Sequence, residues 1–584
     1  MADIMKEVMS HIPPGKVSEA NFEASNIVLY TKDREFFLDN SGMIKRIVDD
    51  IKKRVELRPD PSITMDMEKA EAQIRKLIPE EAGIDHVIFD PQRSRVIIEA
   101  DKPGLAIGKQ GSILRDIRSK TLWVPHIMRK PAIRSKIIEN IRAVLYEHSD
   151  YRRRFLDKVG HRIYDGWKRE KREEWVRLTY LGGARQVGRS SLLLQTPESR
   201  ILLDCGINVA DESAPYPYLE VPEFNIQELD AVILSHSHID HSGFIPYLYK
   251  FGYRGPVYCT PPTRDVSALL ALDYVKIQRG DNKDPIYSTD DIKEMVKHTI
   301  TLDYDEVADV TPDVRITLYN AGHILGSAMV HMHVGNGLHN VLYGADMKYG
   351  KTMLLDPAVT RFPRLETLTL EATYGGKDNV LPPRHADVPV FIDGIVWDIT
   401  AIHTAYPEYL NTNVRKLIFH KDQNPFLNPI FKRVGSSKER KQIIEETGPC
   451  VIIATSGMLV GGPSVEYLKH LAGNSKNSLV FVNYLGEGSL GRRIQRGEKE
   501  FNMGSTARPD MMAVNLEVHT VQGFTGHSGR NQLMNFVKNC EPRPKKIIIN
   551  HGENSRCLDL ASSIHKTFRI ETNAPRNLET IRLK

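Results

Sequence analysis

The sequence predicts a multidomain chain of mixed α+β and α/β class, and three observations lead there. At 584 residues it is too long for one hydrophobic core, and a span of roughly 150 residues per domain suggests three or four domains. With 41% hydrophobic and 26% charged residues it has the composition of a folded protein, and no apolar run reaches the ~18 residues that a membrane-spanning helix needs. Its short apolar runs end in loops rich in His, Asp and Gly, as do buried strands whose C-terminal ends carry chemistry.

Charge is concentrated in one place. Residues 1–101 hold 15 basic and 20 acidic side chains, residues 102–172 hold 19 and 7, and residues 176–584 are balanced. An excess of +12 within about seventy residues is an electrostatic footprint suited to phosphates. The five cysteines are odd in number, scattered and free of C-x-x-C pairs, which argues against a disulfide framework or a cysteine zinc knuckle. The start, Met1-Ala2-Asp3-Ile4-Met5-Lys6, lacks the basic and apolar regions of a signal peptide, so a cytoplasmic location without membrane association is expected.

In chain order, Asn26–Tyr30 and Glu35–Leu38 read as strands and Met43–Leu57 as a helix. Next come a helix over Glu68–Ile78, strands over Ile84–Phe89 and Val96–Glu99, and a helical Pro103–Ile107 leading into Gly108-Lys109-Gln110-Gly111. A helix over Ser112–Ser119 and a strand over Trp123–Met128 follow. The G-x-x-G loop opens a helix whose free amides can meet phosphate. Residues 131–175 read as helix, with basic runs Tyr151-Arg152-Arg153-Arg154 and Lys168-Arg169-Glu170-Lys171-Arg172 that suit either RNA contact or a solvated linker. From Val176 strand signals separated by Gly and Pro turns begin, and Asp204 ends one of them, placed to orient a metal-bound histidine.

Ala231-Val232-Ile233-Leu234 then leads into Ser235-His236-Ser237-His238-Ile239-Asp240-His241-Ser242-Gly243. Imidazole and carboxylate suit borderline Zn²⁺. Ligands two residues apart can converge on one ion while Asp240 and His241 turn toward a second. The alternative is a polar loop whose histidines cap the next helix. Four residues cannot fill two sites, and His323 and Asp346, each beside a strand-like run and each on its own as compatible with a turn as with a ligand, are candidates for the rest.

In this order, strand-Asp, H-x-H-x-D-H, His, Asp and a final His resemble the metallo-β-lactamase fold. The resemblance implies that His236, His238 and His323 hold one zinc, that Asp240, His241 and His551 hold a second, and that Asp346 bridges them. Leu368–Gly375, Gly523–Ser528 and Asn550–Glu553 are similar to motifs A, B and C of the β-CASP nucleases, which makes Glu371 and His527 an acid pair for the leaving group. The G-x-x-G segment resembles a KH domain that clamps single-stranded RNA, and Asp39-Asn40-Ser41-Gly42 marks a degenerate copy before it. Thr455-Ser456-Gly457 in the insert is a candidate phosphate contact through Ser456, or a plain turn.

The whole chain is similar to archaeal homologues of the cleavage and polyadenylation specificity factor endonuclease. The implied architecture is a degenerate KH-like unit (1–67), a KH domain (68–145), a basic helical linker (146–175), and a metallo-β-lactamase αββα sandwich (176–375 and 517–584) interrupted by a β-CASP insert (376–516). The implied activity is two-zinc hydrolysis of RNA, endonucleolytic and possibly 5′–3′ exonucleolytic, in RNA 3′-end formation and transcription termination. The implied partners are single-stranded RNA, a second copy as homodimer, and RNA polymerase or its machinery. The alternative is an RNA-binding termination or scaffold factor with a vestigial hydrolase site. One departure stands out: the insert lacks the strand-helix unit that should follow Thr373-Tyr374-Gly375.

Overall fold

The computed structural model describes residues 3–40, 42–165, 174–211, 213–280, 283–375, 388–446, 448–482, 485–486, 488–503, 510–521 and 525–584. The expected basic run Lys168–Arg172 and the chain between Gly375 and Val388 lie outside them.

In the first unit the strands Glu19–Glu23, Asn26–Thr31 and Val55–Pro59 form one sheet. Arg34–Leu38, expected as a strand, is a helix. The Asp33 carboxylate accepts from Phe36 N, and this cap outweighs the β-propensity of the Phe36-Phe37 pair. The helix expected over Met43–Leu57 stops at Ile51, because Lys52 turns left-handed and Val55 and Leu57 alternate inward as a strand. The second unit has the expected order. Helix Met67–Leu77, strands Ile84–Asp90 and Arg95–Ala100, helix Pro103–Ile107, helix Ser112–Thr121 and strand Val124–Arg129 enclose a core around Ile74, Val96, Ile98 and Trp123.

The two units meet over Arg58, which is 0% exposed and bonds both Glu23 oxygens (2.7 and 2.8 Å) and Glu56 (2.7 Å). Burial alone would raise the Glu23 pKa, but Arg58, aided by Arg93 and Arg95, holds it well below the usual carboxylate range. Arg58→Met leaves these carboxylates buried without their main partner, so urea denaturation should show a loss of roughly 3 kcal/mol.

The segment 146–175 is more than a linker. Helix Ser149–Asp165 buries Phe155, Leu156, Val159 and Ile163, and Gly160 lets it approach Phe22 so closely that a Cβ there would sit 2.1 Å from the Phe22 Cβ. Its arginines serve packing. Arg152 donates to the carbonyls of Lys297 and Thr299 at the end of helix Thr289–His298, Arg153 bonds Glu19, and Arg154 bonds Asp150. Arg152 and Arg153 are thus committed to neighbouring elements, which neither RNA contact nor a solvated linker anticipates.

Beneath this helix lies His298, itself 0% exposed, its Nδ1 donating to Glu294 O (2.7 Å) and its Nε2 accepting from Tyr151 Oη (2.8 Å). Both ring nitrogens are satisfied in the neutral form, and burial pushes the pKa from 6.5 down to about 4. The unfolded chain then takes up this proton first as pH falls. Stability is fully present above about pH 6.5 and declines by roughly 3 kcal/mol on the way to pH 4. Denaturation midpoints at pH 7 and 4.5 should converge in His298→Gln relative to the native chain.

Two seven-stranded sheets among the described residues form the sandwich. One runs Thr299–Thr301, Val257–Cys259, Ala231–Ile233, Arg200–Leu203, Ser191–Gln195, Arg177–Gly182, Thr580–Arg582. The other runs Val307–Asp309, Val314–Asn320, Ala328–Val334, His339–Tyr343, Thr367–Glu371, Lys546–Asn550, Glu571–Asn573. Leu192, Leu203, Ile316, Val330 and Ile548 pack between the sheets, and helices cover both outer faces. The C-terminal segment thus completes both sheets.

Between the two halves, Phe431–Val434, Val390–Asp393 and Val451–Ala454 make a parallel sheet, and Ser478–Phe481 pairs in parallel with Glu517–Thr520. The latter pairing ties Glu517–Thr520, just past the expected boundary at 516/517, to a strand of the insert. Val451, Ile453 and Val480 on these sheets are exposed. Four of the cysteines are buried and all five are free. No described helix is long and apolar enough to cross a membrane.

Candidate metal centre

Both sheets deliver their loops to one edge. After strand Ala231–Ile233 the chain places His236 in the interior, caps the short helix Ile239–Ser242 with His238, and buries His241 within it. His323 follows strand Val314–Asn320, and Asp346 and His551 follow strands His339–Tyr343 and Lys546–Asn550. The backbone is strained where the turns are sharpest. Asp204, Ala345 and His551 take φ of 57°, 47° and 49°, a left-handed conformation costing roughly 1–3 kcal/mol per residue that persists only where packing enforces it.

Two clusters result. His236, His238, His323 and Asp346 offer ligand atoms within 4.8 Å of one another, and so do Asp240, His241, Asp346 and His551. Asp346 is common to both. Its Oδ2 is 3.6 Å from His236 Nε2, 3.7 Å from His323 Nε2 and 3.4 Å from His241 Nε2, while Oδ1 is 3.3 Å from His551 Nε2. Asp240 Oδ2 is 3.6 Å from His551 Nε2.

The residues fit a divalent metal by a test internal to the protein. His236 Nε2, His551 Nε2 and Asp346 Oδ1 are buried without a hydrogen-bond partner. Each such atom costs about 1–3 kcal/mol, a cost that a shared cation would offset. Burial holds His236, His238 and His323 below the ordinary histidine pKa, in the neutral form that ligates. His241 is raised despite burial by Asp346, Asp240 and Asp204, and an ion would replace its proton.

Residues that spacing did not single out orient these ligands. His241 Nδ1 donates to Asp204 Oδ2 (2.7 Å), as expected, but Tyr343 Oη (2.8 Å) and Ser235 Oγ (2.7 Å) donate to the same oxygen. Ser190 Oγ lies 2.8 Å from His551 Nδ1, and His323 Nδ1 donates to Gly526 O at 2.7 Å. Tyr343 shares a strand with the loop to Asp346, which was a signal of sorts. Nothing local marks Ser190.

Glu371 and His527 flank the clusters. His527 Nδ1 is 2.9 Å from Glu371 Oε2 and 3.8 Å from Asp346 Oδ2, and Met347 N donates to Glu371 Oε1 (2.8 Å). Burial works against a charged His527, but Glu371, joined by Asp346, pushes its pKa up to about 9. Lys348 Nζ donates to His527 O and Ser528 bonds Met347 and Tyr349, which fixes the loop. Gly523 and Phe524 lie outside the described residues. Ser456, the candidate phosphate contact, lies in the turn after strand Val451–Ala454. Its hydrogen bonds stay within its own turn, where its hydroxyl accepts from Val460 N and its carbonyl accepts from Ser464.

At the G-x-x-G loop Gly108, Gln110 and Gly111 all have positive φ. A Cβ on Gly108 would meet Ser112 Oγ at 2.7 Å, whereas one on Gly111 meets nothing within 4 Å. Lys109 and Gln110 are exposed, and helix Ser112–Thr121 has no side-chain cap on its N-terminal amides.

Residues 193–368 match the metallo-beta-lactamase superfamily domain, 370–494 the Beta-Casp domain, and 511–575 the Zn-dependent metallo-hydrolase RNA specificity domain. Residues 69–121 match a KH domain and 1–64 the KH domain of transcription termination factor FttA. A transcription termination factor FttA from Thermococcus kodakarensis is 47% identical over 641 residues, covering 100% of this chain and 99% of its own. The chain belongs to the FttA family. An FttA from Methanothermobacter thermautotrophicus is 47% identical and one from Pyrococcus abyssi 46%, each covering 100% of this chain and 98–99% of its own. Because those alignments run well beyond the 584 residues here, FttA relatives hold several dozen positions without a counterpart in this chain. The implied architecture of two KH units, a metallo-β-lactamase domain and a β-CASP domain is therefore that of an FttA-family protein.

Proposed function

We propose that the chain is a zinc-dependent ribonuclease that hydrolyses phosphodiesters of single-stranded RNA, working as a homodimer with the transcription machinery in termination and 3′-end formation. The observation that carries this is the convergence of six ligating side chains around a seventh, Asp346, with the Glu371–His527 pair against them. The relatives' name, transcription termination factor, supports the biological setting.

His236, His238, His323 and Asp346 would hold one ion, and Asp240, His241, His551 and Asp346 the other. When bound, such a pair supplies Lewis-acid polarisation of the phosphoryl group and a water that ionises near neutral pH. The chain's own residues do the rest. Asp204 and Ser190 hold the imidazoles of His241 and His551 in one orientation. Glu371 accepts from His527 Nδ1, which keeps Nε2 for the proton that a departing ribose oxygen needs. The products are 3′-hydroxyl and 5′-phosphate ends.

The test is cleavage of a 5′-labelled single-stranded RNA by the native chain, by Asp240→Ala with His241→Ala, and by His527→Ala, with and without chelator. Equal cleavage by the ligand variant would overturn the reading. For the RNA-binding arm, Gly111→Asp adds a carboxylate where a Cβ meets nothing within 4 Å, at a left-handed φ that Asp tolerates better than most residues. It should weaken RNA binding roughly tenfold and lower the salt slope by about 1, with metal content unchanged.

A further inference from the structure

We propose that the cleft between the KH domain and the β-CASP insert is a second RNA subsite, in which a nucleobase of single-stranded RNA leaving the G-x-x-G loop stacks on Phe419. The inference rests on the RNA reading above and adds a place that no motif marks.

The cleft measures about 1250 Å³. Its KH wall carries Lys102, Leu105 and Arg129, and its insert wall carries Phe419, His420 and Asn428. The walls are joined behind it. Ser135 Oγ donates to Asp398 (2.6 Å) and Ile133 N donates to Thr404 Oγ1 (3.2 Å), both on helix Val396–Ala405, so the gap has a built floor.

Three features specify the ligand. Phe419, a large apolar ring at the end of helix Thr412–Lys421, is 43% exposed, and Leu105 opposite is also 43% exposed. A single exposed ring is ordinary, but an aromatic and an aliphatic side chain facing each other across a cleft with a polar rim have the character of a binding site. The Arg129 guanidinium stands 4.9 Å from the Phe419 centroid, held by its bond to Asp101 O (2.8 Å), so a cation and an aromatic face are already paired, as in single-strand binding grooves. Finally, helix Pro103–Ile107 lines the cleft at Gly104 and Leu105 and ends at Gly108, making the cleft continuous with the phosphate-binding loop. A KH loop clamps about four nucleotides, so a longer strand must leave it in some direction. With Lys102 and Arg129 for phosphates, Phe419 for a base and the Asn428 amide for a base edge, the cleft suits a strand in extended, unstacked form.

The test is fluorescence anisotropy of the full-length chain with two labelled single-stranded RNAs, one of about 4 nucleotides that fills the loop alone and one of about 20. Phe419→Ala should weaken the longer RNA about tenfold and the shorter by less than about twofold, with the salt slope retained, because stacking releases no counterions. Phe419→Trp should restore affinity. Unchanged affinity of Phe419→Ala for the longer RNA overturns the subsite and would report a non-RNA occupant or none, and an equal loss on both lengths overturns it as well, because that would report damage to the fold. Failure here is separable from failure of the ribonuclease reading, since the latter is read from cleavage by the native chain.

Discussion

Replacing Asp240 and His241 together by Ala should lower RNA cleavage by at least about 10³-fold and reduce bound metal to about one ion per chain, measured by elemental analysis. Two of the four groups of one cluster disappear, while His236, His238 and His323 keep the other intact with Asp346. The fold should survive, because Asp240 is partly solvent-facing and His241 gives up its bond to Asp204, whose other donors Ser235 and Tyr343 remain, and a longer 3.5 Å contact with Ser190 Oγ. Full cleavage with half the metal would mean that the second cluster has no part in hydrolysis.

The second large effect is at His527, where Ala should cost about 10²–10⁴ in kcat with KM and metal content little changed. The imidazole lies beside the clusters, and its Nδ1 is committed to Glu371. Removing it takes away a proton donor and leaves the ligands in place. A substrate with a better leaving group than ribose should rescue most of the loss, whereas a purely structural role for the Glu371–His527 pair would leave the variant equally slow on both substrates.

How much of this was legible depended on range. The spacing of His236, His238, Asp240 and His241 is local, and so is the G-x-x-G loop, so both could be read before any fold was known. The strand expected over Glu35–Leu38 is part of a helix because one side-chain cap, Asp33 to Phe36 N, outweighs the β-propensity of the aromatic pair. Tyr151–Arg154 was ambiguous because a charged run looks the same whether it faces solvent or caps another helix. The His298 pocket and the carbonyls that Arg152 reaches come from more than a hundred residues away.

The sequence by itself determined the chemical kind of this protein: which side chains can ligate, which loop can meet phosphate, and that seven ligand positions are all present. Only the tertiary structure decided that Ser190, Tyr343 and the Gly526 carbonyl are the partners that orient the imidazoles or their Asp204 neighbour, and that Phe419 faces the KH domain across a cleft. The physical reason is that ligand identity and backbone periodicity are properties of neighbouring residues. The partner of a buried polar atom, by contrast, is set by long-range packing that brings distant strands to one edge.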